Sequence, residues 1–195
     1  MSQHLINESQ HPLSGFYLNE YEKLHQTLLH NEILKQPTIL LGATFGLLDF
    51  VEKYSMKLSN TIVMETGGMK GRRKEITREE VHTILKKKLG VKKIHSEYGM
   101  TELLSQAYSS GNGIFRCPPW MKVILREEDD PLQIKELNRA SQTATGLINV
   151  IDLANIYSCA FIATDDIGKL HYNQTFEVLG RCDNSDIRGC SQLIN

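Results

Sequence analysis

Three short loops in the sequence carry residue types that could bind a nucleotide. Residues 65–68 read Glu-Thr-Gly-Gly, residues 98–102 read Tyr-Gly-Met-Thr-Glu, and residues 164–166 read Thr-Asp-Asp. Glycine lets a backbone approach a flat base or a phosphate closely. Glutamate offers the hard oxygen that Mg2+ prefers, and aspartate accepts hydrogen bonds from a diol. Each loop taken alone is also typical of an ordinary solvated turn, which remains the alternative interpretation.

Buried strands and helices must position these loops. The apolar runs TILLGAT (38–44) and TIVMET (61–66) are typical of strands buried on both faces. Helical spacing of apolar residues over 17–31 predicts an amphipathic helix, and Thr77 with Glu80 forms a capping-box signal for another. Alternating strands and helices predict a parallel α/β sheet, whose ligands collect at the carboxyl ends of its strands.

The sequence pattern changes after Gly111, where short runs of strand-forming residues are separated by Gly, Asn and Asp. These runs predict a mostly antiparallel second lobe. The expected fold class is therefore α/β, with a mostly parallel sheet flanked by helices and followed by a β-rich lobe. The expected division is an irregular lead-in at 1–15, an α/β unit at 16–110 and a β-rich lobe at 111–195.

Composition excludes several classes of function. The chain has 195 residues with 22 basic and 23 acidic side chains, so its formal charge of −1 provides no field to attract nucleic acid. No apolar run approaches the roughly 20 residues that a membrane-spanning helix needs. The polar N-terminus lacks the layout of a signal peptide, which favours a cytoplasmic location. The four cysteines form no CxxC pair, so free thiols are expected rather than disulfides or a zinc site.

The order of the motifs narrows the interpretation. Four motifs follow one another along the chain: a glycine pair, Tyr-Gly-x-Thr-Glu, Thr-x-Asp and Gly-Arg-x-Asp. The stretches of sequence that resemble the family are METGGMKGRR, IHSEYGMTELLSQAYS, FRCPPWM, INVIDLANIYSCAFIATDDIGKL and FEVLGRCDNSDIRGC. Over about residues 13–195, this sequence resembles the acyl-protein synthetase (LuxE-type) branch of the adenylate-forming enzyme superfamily. The resemblance covers the C-terminal half of such an enzyme and implies part of its large domain as the fold.

The resemblance also implies roles for individual residues, with ATP or AMP and Mg2+ as cofactors. Adenine would be bound by Gly67 and Gly68, and the base would stack on Tyr98, which Gly99 follows. Thr101 would contact the α-phosphate and Glu102 would hold Mg2+, and these two would be catalytic. Asp166 would hold the ribose hydroxyls with Arg181 beside it, although the register of Asp165 and Asp166 against the family motif stays open.

One element of the superfamily is missing from the sequence. Its members grip the β- and γ-phosphates with a Ser/Thr/Gly-rich loop that ends in lysine, and no such stretch occurs here. We therefore expect the chain to correspond to the C-terminal portion of such an enzyme. In isolation it should bind nucleotide weakly and have negligible activity. Exposed apolar surface should then meet a missing N-terminal half, a partner chain or another copy of this chain.

Cys190 stands five residues from the C-terminus, where the synthetase branch is thought to pass its acyl group through a cysteine. A thiolate is a good nucleophile and its thioester stays reactive enough to hand the acyl group on. Arg188 could lower its pKa by proximity. A small buried hydrophobic residue in a terminal strand is an equally weighted alternative for Cys190.

Two functions follow from the sequence. The leading one is the nucleotide-binding portion of an ATP-dependent acyl-activating ligase, acting on a carboxylic acid, with fatty acids among the candidates. The alternative is a non-catalytic remnant or subunit that serves as an interaction module. Neither needs a nucleic-acid partner or a membrane span.

Overall fold

A computed structural model of the chain describes residues 2–67, 76–130, 132–137 and 141–182. The described elements are four α-helices, ten strands and one 3-10 turn. The helices are α1 (Ser2–Ser9), α2 (Tyr21–Ile33), α3 (Thr44–Lys53) and α4 (Arg78–Leu89). The strands are β1 (Thr38–Ala43), β2 (Thr61–Thr66), β3 (His95–Tyr98), β4 (Ala107–Ser109), β5 (Ile114–Arg116), β6 (Met121–Arg126), β7 (Ile134–Lys135), β8 (Thr143–Asp152), β9 (Phe161–His171) and β10 (Phe176–Arg181), and the 3-10 turn is Leu153–Asn155.

All ten strands belong to one sheet, in the order β1-β2-β3-β4-β5-β10-β9-β8-β6-β7. Only the β1–β2 and β2–β3 pairs are parallel, and the other neighbouring pairs are antiparallel. The α/β class is confirmed, but the prediction of a mostly parallel sheet is wrong. A parallel pair needs a crossover connection, and only α3 and α4 supply one.

Two hydrophobic cores lie along this sheet. The first is formed by buried residues of α2, α3, α4 and the first strands, from Leu28 to Ile94. The second is formed by buried residues of the antiparallel strands and the loop after β3, from Tyr98 to Val178. The two cores meet near β3. The sheet is continuous across residue 111, where a second lobe was expected to begin, because β4 and β5 on either side of it pair with each other.

Local sequence signals explain where α4 begins and ends. The Thr77 hydroxyl accepts the amide of Glu80, and the Glu80 side chain accepts the amide of Thr77, which is the capping box that the sequence predicts. Gly90 ends the helix in the left-handed conformation, with a φ of 64°. Residues 2–9 differ from the expected irregular lead-in, because they form α1, a helix with no buried residue.

One face of the parallel strands is not covered by the described helices. Leu40 and Val63 point into the first core, whereas their neighbours Ile39 and Ile62 pair side by side on the opposite face. Ile39 is 64% exposed and Ile62 is 45% exposed. No helix in the described part of the chain is long and apolar enough to cross a membrane.

Candidate functional site

The candidate site brings together three strand residues, Tyr98 at the end of β3, Asp166 within β9 and Arg181 at the end of β10. Residues 164–166, expected as a loop, are therefore part of a strand, because they pair with the neighbouring strands of the sheet. The Tyr98 hydroxyl donates to Asp166 Oδ2 at 2.7 Å, which joins the end of β3 to β9. Asp166 and Arg181 are paired across β9 and β10, with 3.8 Å between Asp166 Oδ1 and Arg181 Nε. The end of β3 and the consecutive strands β9 and β10 therefore converge on one carboxylate.

Asp165 and Asp166 are successive residues of β9 and have different environments. Asp166 is 6% exposed, whereas the side chain of Asp165 is largely exposed and accepts a hydrogen bond from Arg181 Nη2 at 3.1 Å. Burial raises the pKa of Asp166 above its ordinary value, and the negative charge of Asp165 acts in the same direction. The Tyr98 hydrogen bond and the Arg181 charge oppose this rise without cancelling it.

Buried polar contacts fix residues 164–166 of β9. The Thr164 hydroxyl donates to the carbonyl of Ile148 at 2.8 Å and accepts the amide of Asp166 at 3.1 Å. The buried Arg126 donates through Nη2 to the Thr164 carbonyl at 3.0 Å. Because these contacts involve the backbone, they hold Asp166 at one position whatever its own side chain does.

Gly67 follows β2, beside the end of β3. The parallel register pairs Thr66 with Glu97, so Gly67 and Tyr98 are the next residues of adjacent strands. The Thr44 hydroxyl lies 2.7 Å from the Gly67 carbonyl and 2.8 Å from Glu65 Oε2. Gly67 has a φ of 70°, which a residue with a side chain adopts only at a cost, so this turn requires glycine.

A buried carboxylate lies beneath this turn. Glu65 Oε1 is 3.6 Å from His82 Nε2 and 3.9 Å from Arg78 Nε. Burial alone would raise the pKa of Glu65, but hydrogen bonds from His82, Ser96 and Thr44 and the charge of Arg78 outweigh it and lower the pKa. Glu65 therefore anchors the strand end as an ionised, hydrogen-bonded group.

Tyr98 has a different environment from the one that base stacking needs. Its ring is 4% exposed and packs edge-on against Phe115 and Phe176, with centroid distances of 6.0 and 5.5 Å. A ring covered in this way presents no free face to a base. Stacking on adenine stays a prediction, and the geometry favours Tyr98 as the hydrogen-bond partner of Asp166.

Thr101 and Glu102 lie in an exposed turn directly after this cluster. Their side chains form no hydrogen bond or ion pair with other residues in the described ranges, which leaves both available to a ligand. No group of three His, Cys, Asp or Glu residues in the described ranges could hold a metal by itself. Mg2+ at Glu102 would therefore also need oxygen ligands from phosphate and water, which is its usual mode of binding.

The turn is held by two residues that the sequence analysis did not single out. Asp152 accepts the amides of Leu104 and Ser105, and Asn155 donates to the carbonyl of Glu102. The local sequence indicates only that Asp152 caps the 3-10 turn that follows it, whereas its contacts with Leu104 and Ser105 join residues 48 and 47 positions apart. Two predicted site residues, Gly68 and Cys190, lie outside the described residues.

Solved structures of larger enzymes share this fold. ATP-bound MatB from Rhodopseudomonas palustris matches with a TM-score of 0.55 and 16% identity, over 83% of this chain and 33% of its own. The AMP complex of O-succinylbenzoate coenzyme A synthetase (MenE) from Bacillus subtilis matches with a TM-score of 0.54 and 17% identity, over 83% and 34%. A mutant form of coronafacic acid ligase from Pectobacterium brasiliense matches with a TM-score of 0.55 and 18% identity, over 83% and 32%.

The chain thus spans about a third of the length of these proteins. At such low identities the likeness shows the fold alone. No protein-family model matches the chain, and no curated protein matches it.

Proposed function

We propose that this chain provides the adenosine-binding part of an ATP-dependent acyl-activating ligase of the acyl-protein synthetase kind. The observation that carries the proposal is the hydrogen bond from Tyr98 to Asp166, which joins motifs 68 positions apart, beside the pair that Asp166 forms with Arg181 of the neighbouring strand. Support comes from the fold shared with an ATP-bound and an AMP-bound enzyme. In this proposal Asp166 accepts hydrogen bonds from the ribose, and Gly67 and Gly68 bind the adenine.

Calorimetric titration with AMP tests the assignment of the ribose site. Asp166→Ala should weaken AMP binding about tenfold to 100-fold, because hydrogen bonds to a charged group contribute about 1.5–3 kcal/mol. Asp165→Ala is the matched control, since it removes the same side chain one residue away. Equal binding by wild type and Asp166→Ala would refute the assignment, and a loss confined to Asp165→Ala would move the site to Asp165.

The chemistry of the proposed reaction is acyl-adenylate formation. A carboxylate oxygen of the acid attacks the α-phosphorus of ATP, a new phosphorus–oxygen bond forms, and the bond to the β-phosphate breaks to release pyrophosphate. Thr101 donates its hydroxyl hydrogen bond to an α-phosphate oxygen, which stabilises charge in the transition state. Glu102 binds Mg2+, which when present neutralises phosphate charge.

The acyl acceptor in this proposal is Cys190, whose thiolate would attack the acyl carbonyl and release AMP. A preformed fatty acyl-adenylate supplies the test, because it bypasses the activation step. Wild type should gain an acyl adduct that hydroxylamine removes, and Cys190→Ser should not. Cys159→Ser is the matched control, because Cys159 is an exposed free thiol. An adduct that persists in Cys190→Ser would exclude this acceptor.

The uncovered face of β1 and β2 favours a second candidate function, an interaction module whose occupant is another copy of this chain. β1 is an edge strand, and its residues TILLGA include no charge or proline that would block pairing with another edge. Two copies related by a twofold axis could pair their β1 strands and cover Ile39 and Ile62 of both.

Light scattering over a concentration series tests this association. Wild type should form dimers, and Ile39→Lys should remain monomeric because lysine cannot be buried in the paired face. Tyr157→Lys is the control, since Tyr157 is exposed elsewhere on the chain. A wild-type chain that stays monomeric at high concentration would refute the association.

A further inference from the structure

Asp152 binds the segment that follows the Thr101–Glu102 turn. Its carboxylate is 0% exposed, and both oxygens accept hydrogen bonds. Oδ2 accepts the amides of Leu104 and Ser105 at 3.0 and 2.8 Å. Oδ1 accepts the Ser105 hydroxyl at 2.7 Å and the amide of Ala154 at 3.1 Å.

Asn155 binds the turn itself. Its Nδ2 donates to the Glu102 carbonyl at 2.7 Å and to the Cys159 carbonyl at 3.0 Å. The amide of Leu103 donates to the Met100 carbonyl at 3.1 Å, which closes the turn from the other side. The backbone of Glu102 is therefore held while its carboxylate remains exposed.

These two residues have a rigid base in the antiparallel half of the sheet. Asp152 is the last residue of β8 and pairs with Met121 of β6, and its amide donates to the Ala160 carbonyl at 2.8 Å. The turn between Tyr98 and Ser105 thus has one end in β3 and its other end fixed to β8. Its position depends on both halves of the sheet.

We propose that Asp152 and Asn155 are positioning residues that fix the turn presenting Thr101 and Glu102 to the phosphate of a bound nucleotide. The ligand in this inference rests on the proposed function, whereas the clamp on the turn rests on the contacts alone. The ribose-binding residues Asp166 and Arg181 make none of these contacts. Loosening the clamp should therefore affect recognition of the phosphate and spare recognition of the nucleoside.

A comparison of AMP with adenosine, both with Mg2+, tests this separation in Asn155→Ala. AMP affinity should fall about tenfold, because contacts to a charged phosphate are lost, while adenosine affinity should not change. A purely structural role would lower both affinities together, since partial unfolding removes the whole site. Asn19→Ala is the matched control, because Asn19 is an exposed asparagine outside the site.

Asp152→Asn and a spectroscopic readout provide a second, independent test. Trp120 is the only tryptophan of the chain, and its Nε1 donates to the Ser105 hydroxyl at 2.9 Å. Its fluorescence therefore reports on the clamp directly. Asp152→Asn and Asn155→Ala should shift the emission and speed hydrogen exchange of the amides from 101 to 105, whereas Asn19→Ala should do neither.

The outcomes separate the two proposals. Equal losses for AMP and adenosine, or unchanged exchange at residues 101–105, would overturn the clamp and leave the proposed function standing. If wild type binds neither AMP nor adenosine, the proposed function fails, and the exchange and fluorescence measurements then decide the clamp by themselves.

Discussion

Replacing Asp152 by asparagine should destabilise the protein strongly, although the two side chains have the same shape. In its best orientation the asparagine oxygen keeps the amides of Leu104 and Ser105. Its nitrogen then faces the amide of Ala154 and the Ser105 hydroxyl, and the hydroxyl can rotate to accept from it. That amide loses its acceptor, at a cost of about 1–3 kcal/mol. The two remaining bonds lose their charge assistance, which costs about 1 kcal/mol for each bond.

These losses sum to about 3–5 kcal/mol, and we expect about 3 kcal/mol because the site lies under a thin layer of protein. Leu104, Trp120 and Leu153 around it are all more than half exposed. For a chain of this size, a loss of about 3 kcal/mol corresponds to a decrease in Tm of roughly 6–12 °C. Urea unfolding followed by circular dichroism would measure it, with Asp129→Asn as an exposed control of equal charge change.

The effect should also depend on pH. Burial would raise the pKa of Asp152, but the four hydrogen bonds from Ser105, Leu104 and Ala154 outweigh it and lower the pKa below 3.8. A lowered pKa means that the carboxylate stabilises the fold above pH 3.8 and that this stability is lost as the pH falls through the folded-state pKa. The difference between wild type and Asp152→Asn should therefore be constant near neutral pH and shrink in acid. A difference below about 0.5 kcal/mol at pH 7 would refute the assignment of these bonds.

Three further predictions follow from other sites. Asp166→Asn should be more stable than wild type at pH 7, because it keeps the Tyr98 hydrogen bond and removes a carboxylate whose pKa is raised by burial. In urea titrations this gain in stability should vanish below pH 3.8, and a destabilised Asp166→Asn would contradict the raised pKa. Burial raises the pKa of Cys117 to about 11, so at pH 8 a thiol reagent should modify Cys159 quickly and Cys117 only on unfolding, as Cys159→Ser and mass spectrometry would verify. Thr77→Ala should cost about 1 kcal/mol in urea unfolding through loss of the helix cap, and an unchanged midpoint would argue against the capping box.

Short-range signals explain which elements the sequence predicted well. TIVMET matches β2, and the Thr77–Glu80 pair opens α4, because strand alternation and helix capping depend on residues close in the chain. The predicted proportion of parallel strands was wrong because strand direction is not a short-range property. Strand direction depends on which strand pairs with which, and β5 pairs with β10, some sixty residues later in the chain.

The candidate site divides in the same way. The motifs alone predicted Asp166 and Arg181 as site residues, which stays a prediction, and the sheet register places the two side by side. The hydrogen bond from Tyr98 to Asp166 and the clamp of Asp152 on Ser105 arise only in the folded chain. The first joins residues 68 positions apart in the chain and the second joins residues 47 positions apart.

The sequence by itself determined the local elements, the order of the motif loops and the residue types that could do chemistry. Tertiary structure decided that Tyr98 is buried against Phe115 and Phe176, that Asp165 is exposed while Asp166 is not, and that Asp152 holds the segment at Leu104 and Ser105. The physical reason is that burial and hydrogen-bond partners are properties of the packed sheet. Residue type sets what a side chain can do, and the environment that packing creates sets its charge state and its orientation.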